Sequence, residues 1–177
     1  MRRLLAPALL LFPLAAFAAG SGSDSPPTPT ETTTTCTDGM VFDADLGKCV
    51  EPEVESLNDD QRYRAVRELA YAGRLDDALR VLASMGDQQD DRVLTYYGYV
   101  HRARGDFELG DSYYLQAIDA NPDNLLARSY MGQGLVIRGR VDEAYAQLTQ
   151  IRARGGAGTW PEQALVQAIL TGHDTSY

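Results

Sequence analysis

Few residues in this 177-residue sequence have the types and spacing that chemistry demands. Two cysteines, Cys36 and Cys49, stand close together, and two histidines, His101 and His173, stand far apart. Paired acids recur as Asp59-Asp60, Asp76-Asp77 and Asp90-Asp91, and the run Arg154-Gly155-Gly156-Ala157-Gly158-Thr159 precedes a helical stretch. A thiolate metal site needs further ligands close by, and the segment around the cysteines contains no histidine. In an exported chain two such cysteines pair as a disulfide. A loop that short, once closed, contributes ~3 kcal/mol in the chain-entropy model. His101 has no accompanying carboxylate or nucleophile pattern of the kind a catalytic histidine uses, and reads as a packing residue. The acid pairs stand where helices begin, where carboxylates satisfy free N–H groups and favour the helix dipole. The glycine-rich run suggests an anion loop, but it lacks the Lys-Ser/Thr ending and the preceding strand of a nucleotide site, and reads as a hinge. There is no nucleophile elbow and no His-Glu zinc helix. No catalytic residue, metal site or cofactor is expected, and the chain reads as a non-enzyme.

The elements that position these residues are helices. Asn58-Asp59-Asp60-Gln61 is a capping box, followed by Tyr63, Val66, Leu69 and Ala70 at helical spacing. Gly73-Arg74 turns the chain into a stripe of Leu75, Ala78, Leu79 and Leu82. A third helix runs from Asp90-Asp91 to Gly105, and a fourth from Phe107 to Asn121, where Pro122 stops it. A fifth spans 125–138 and a sixth 141–152. Thr159-Trp160-Pro161 opens a last helix, with proline in its first turn.

The helices repeat. Leu94, Tyr97, Gly98, His101, Gly105, Gly110, Tyr114, Ala117 and Pro122 each have a counterpart 34 residues later, from Arg128 through Gly139 to Gly156. Gly73-Arg74-Leu75-Asp76-Asp77-Ala78 and Gly139-Arg140-Val141-Asp142-Glu143-Ala144 repeat one local pattern, and Gly105-Asp106-Phe107-Glu108-Leu109-Gly110 matches with glycine for alanine. This pattern resembles the tetratricopeptide repeat. Three units follow, at about 59–90, 91–124 and 125–158, with a capping helix at 160–171, all within 56–172. The first unit is two residues short, and the third has Gly156 where the family has proline. The resemblance implies an all-α, right-handed solenoid, in which stacked units bury what one unit cannot bury alone.

In that family the first helix of each unit lines a concave groove. The matching positions here are Tyr63, Arg64 and Arg67, then Arg92, Thr95, Tyr96, Tyr99 and Arg102, then Ser129, Tyr130, Gln133 and Ile137. Tyrosine and arginine are enriched at binding hot spots, and a basic, aromatic trough suits an acidic or C-terminal peptide. The alternative is that these arginines pair with Asp60, Glu68 and Asp91 and only solvate a face. The Lys/Asn arrangement of the family's carboxylate-clamp members is absent.

Met1-Arg2-Arg3, an apolar run to Phe17 and the exit Ala16-Phe17-Ala18-Ala19 make residues 1–19 a secretory signal peptide. The run is too short for a bilayer span, so the processed chain is expected in the periplasm or outside the cell, not in the membrane. A net charge of −9 argues against a nucleic-acid partner. Residues 20–35 are rich in Ser, Thr and Pro and read as a flexible tether. Residues 36–50, with a turn at Asp38-Gly39 and a short strand at Met40-Val41-Phe42, read as a disulfide-clasped hairpin. Its Cys-x-x-Gly-x-x-Phe-Asp pattern and later Cys resemble half of a peritrophin-type chitin-binding module. The expected function is an adaptor or scaffold of the bacterial cell envelope, with self-association possible. The alternative is a cell-wall or glycan binder using the hairpin, with the repeats as a spacer.

Overall fold

The computed structural model describes residues 24–175. The expected leader, residues 1–19, lies outside the described residues. A one-turn helix α1 (Glu31–Thr34) leads into two antiparallel strands, β1 (Val41–Asp43) and β2 (Lys48–Val50), with Phe42 opposite Cys49. Seven longer helices follow: α2 (Asp59–Tyr71), α3 (Leu75–Ala83), α4 (Asp91–Ala103), α5 (Phe107–Ala120), α6 (Leu125–Ile137), α7 (Val141–Ala153) and α8 (Trp160–Thr171). None of the described helices is long and apolar enough to cross a membrane.

Helix starts follow from short polar side chains that accept otherwise unpaired backbone N–H groups. Asn58 and Gln61 bond reciprocally at 2.9 and 2.8 Å. Asp90 accepts from the Arg92 amide at 2.8 Å, and Asn124 from the Ala127 amide at 2.8 Å. The ends of α2, α4 and α6 are set by one shared device. Gly73, Gly105 and Gly139 have φ of 73, 84 and 74°, a left-handed turn that glycine adopts without strain. In each case the next amide returns to a helix carbonyl: Arg74 to Leu69, Asp106 to His101 and Arg140 to Leu135, all at 2.9 Å. This is the Schellman ending, and it makes the sequence period a geometric one.

Helices pack as antiparallel neighbours, α2 with α3, α4 with α5 and α6 with α7. The first helices of the pairs also lie side by side in chain order, α2 on α4, α4 on α6 and α6 on α8. Close approach depends on missing side chains. A Cβ on Gly98 would come within 2.6 Å of the Tyr114 ring, and one on Gly132 within 2.7 Å of Leu165. Gly98 therefore serves its own hairpin, whereas Gly132 makes room for α8. One apolar core runs from Val41, Val50 and Leu57 through Leu69, Leu82 and Tyr96 to Tyr130. A second gathers Leu135, Leu148 and Ile151 with Leu165 and Ala168 of α8.

Cys36 and Cys49 form the disulfide, with Cα atoms 5.7 Å apart. Such bonds persist in oxidising compartments, which points to a setting outside the cytoplasm. The hairpin does not stand apart from the helices. Val41 and Val50 enter the helical core, Arg74 donates to the Cys36 carbonyl at 2.8 Å, and Arg80 holds the Asp38 carbonyl and Glu51. The described part of the expected tether, residues 24–35, is likewise ordered against α2. Its composition lacks apolar bulk, and its order comes from polar contacts to a helix far along the chain.

Candidate functional site

Helical spacing puts Tyr63, Arg67 and Tyr71 on one face of α2 and Arg92, Tyr96, Tyr99 and Arg102 on one face of α4. Tyr130 and Gln133 do the same on α6. Because α2, α4 and α6 are neighbours, these faces meet. Tyr96 packs edge-on to Tyr63 and Tyr130, with ring centroids 5.6 and 6.2 Å away. Tyr99 stacks on Tyr71 at 5.6 Å and meets Tyr130 at 5.0 Å. Trp160, at the start of α8, reaches both Tyr130 and Tyr71, at 6.3 and 6.5 Å. The Tyr71 and Tyr130 hydroxyls are hydrogen-bonded to each other. Arg92 lies 5.0 Å from the Tyr63 ring centroid and Arg102 5.3 Å from that of Tyr99, a cation–π geometry.

The consequence is burial. Of the twelve residues expected to line an open groove, Tyr63, Arg67, Thr95, Tyr96, Tyr99, Arg102, Ser129, Tyr130 and Gln133 are all below 10% exposed, while Ile137 is exposed. Arg64 is exposed, and Arg92 is half-buried and paired with Asp60 and Asp90 at 3.0 and 2.9 Å. Burial raises the Tyr63 phenol above its ordinary value, and the neighbouring Tyr96 adds to the shift. Burial likewise raises Tyr96 and Tyr114. Most of these positions do not meet solvent, because the aromatic rings close on one another and two segments of the same chain lie over them.

The first segment is residues 24–33. The Ser25 carbonyl accepts from Arg67, and Pro26, Pro27 and Pro29 lead to α1. Glu68, 6% exposed, receives four bonds from it. The Thr30 and Thr33 amides donate at 2.6 and 3.1 Å, and their hydroxyls at 2.7 and 2.5 Å. A carboxylate here caps the first turn of α1. The second segment follows α8, which ends at Gly172 in a left-handed cap. Asp174 pairs with Arg102 at 3.1 Å, and Thr175 donates to Gln133 Oε1 from its hydroxyl at 3.0 Å and its amide at 3.3 Å.

The sequence reading names Glu68 only as an arginine partner and gives the residues after α8 no contact. Thr30-x-x-Thr33 carried a usable signal, since hydroxyl residues three apart mark a helix start, but nothing local names the distant carboxylate. Asp60 does pair with Arg92, whereas Asp91 accepts from Asn121 and Asn124 at 2.8 and 2.7 Å. Asp91, Arg92, Asn121 and Asn124 edge a cleft of about 250 Å³ that also includes Asp24 and Tyr63. His101 is half-buried and stacks on Tyr113 at 5.5 Å. The acid pair Asp76-Asp77 lies in the first turn of α3, and the glycine-rich run leads into α8, with Glu162 accepting from the Gly158 amide at 2.6 Å. Among the described residues no three His, Cys, Asp or Glu side chains gather as a metal-holding group. No family model, no curated protein and no solved structure matches the chain.

Proposed function

We propose that this chain is a non-enzymatic protein-binding scaffold of the bacterial cell envelope, built as a short tetratricopeptide-like solenoid whose concave face takes an extended peptide. The 34-residue period, the repeated glycine endings and the side-by-side order of α2, α4, α6 and α8 support the solenoid reading. The disulfide and the leader-like residues 1–19 support export.

One observation carries the binding reading: the face already holds a Ser/Thr/Pro segment, residues 24–33, gripping the Ser25 carbonyl through Arg67 and the first turn of α1 through Glu68. A surface that recognises backbone carbonyls, amides and hydroxyls of one flanking segment has the chemistry to recognise those of another. A photo-reactive residue at Arg64, exposed on this face, is expected to cross-link a discrete envelope protein in living cells. The same group at Leu115 on α5, 55% exposed, is expected to give no such product. Equal products from both positions, or none from Arg64, would remove the groove from the account.

A further inference from the structure

Arg102 lies in the last turn of α4 and is 6% exposed. The rings of Tyr99 and Tyr130 lie 5.3 and 5.9 Å from its guanidinium carbon. Its stem passes Gly134, where a Cβ would come within 3.0 Å. A guanidinium offers five N–H donors, and a buried charge is stable only when paired and hydrogen-bonded. Among the described residues its ionic partner is Asp174, through one oxygen to one terminal nitrogen at 3.1 Å. Arg102 Nε and Tyr114 Oη, two buried polar atoms, form no well-aligned hydrogen bond, although the phenol lies close enough to the guanidinium to interact with it directly. Arginine–carboxylate pairs favour two parallel bonds, and here a single one forms.

Gln133 adds a second element of recognition. It is 1% exposed, its Nε2 donates to Ser129 at 3.2 Å, and its Oε1 faces the amide and hydroxyl of Thr175. Two consecutive residues of an extended segment are thus distinguished: an acid by Arg102, and a hydroxyl residue with its amide by Gln133. We propose that Arg102 and Gln133 form a recognition site for an extended segment of another protein carrying Asp or Glu followed by Ser or Thr, and that Asp174-Thr175 occupies it in cis. The proposal rests on the peptide-binding reading of this face and gives it a ligand class.

The cis occupant is poorly matched. Its carboxylate is 46% exposed and engages the guanidinium through one oxygen. It competes through tethering, since a short flexible link raises a weak ligand's effective concentration to about the millimolar range. An untethered segment can bring both carboxylate oxygens to the guanidinium. Removing Asp174 should therefore uncover the site without touching Arg102 or Gln133.

The test is fluorescence anisotropy with a fluorescein-labelled peptide of the sequence 170–177, titrated with the wild-type chain and with Asp174→Ala. Asp174→Ala is expected to bind at least tenfold more tightly than wild type. The same peptide with Asn in place of its Asp should lose at least tenfold on that variant. Equal affinities of the two chains, or of the two peptides, would overturn the proposal. So would a wild-type dimer in sedimentation that dissociates on Asp174→Ala, because the occupant would then be the tail of a second copy. An Arg64 cross-link that persists while the peptide fails to bind would leave the face a binding surface and discard only the acidic specificity.

Discussion

At the residue scale, packing turns on single atoms. Tyr114 is fully buried with its ring against Gly98, and Gly110 O lies 3.1 Å from where a Gly98 Cβ would stand. Neither ring nor backbone can give way cheaply, so Gly98→Ala is expected to cost roughly 1–3 kcal/mol, read as a Tm several degrees lower. The buried phenols give a pH dependence. Tyr63, Tyr96 and Tyr114 hold their protons above the ordinary value of 10.0, while the unfolded chain releases them there. The native state then binds more protons, so stability is full below pH 10.0 and falls as pH rises beyond it. Alkaline titration at the tyrosinate absorbance should show these phenols ionising together with unfolding, not before it. The caps at Asn58, Asp90 and Asn124 belong to sequence, because a short polar side chain acts within three residues of itself. The burial of the tyrosines was not legible: helical spacing fixes the face a residue occupies, and what covers that face depends on segments elsewhere in the chain.

At the element scale, the N-terminal and C-terminal ends of the helical stack are covered differently. The hairpin covers α2 and α3 with Val41 and Val50, held by a disulfide across a sequence separation of 13. Replacing both cysteines with serine is expected to lower stability by ~3 kcal/mol, measured by urea unfolding. An unchanged midpoint would show the hairpin to be passive. At the other end, α8 supplies Leu165 and Ala168 to the second core and Trp160 to the tyrosine cluster. Truncation before Trp160 is expected to give an aggregating or poorly folded product, since the second core would lose Leu165 and Ala168. A soluble truncation with the same Tm would contradict this. All seven long helices are readable from periodicity, glycine endings and proline to within a residue or two, because their signals are local. Residues 24–35 are not, because Glu68 lies 38 residues beyond Thr30 and composition holds no record of it.

At the scale of the whole molecule, neighbouring helix pairs share their apolar faces, and the remaining shared face holds the chain's own two flanking segments. The reading of this molecule as a binding scaffold depends on that face gripping a flanking segment by its backbone. The most direct measurement is amide hydrogen exchange at Thr30 and Thr33 in the wild-type chain and in Glu68→Ala. Both amides should be protected in the wild type, and Glu68→Ala should release them while leaving protection within α4 and α6 unchanged. Exchange of Thr30 and Thr33 at unfolded-chain rates in the wild type would show that the segment does not occupy the face, and would contradict the account.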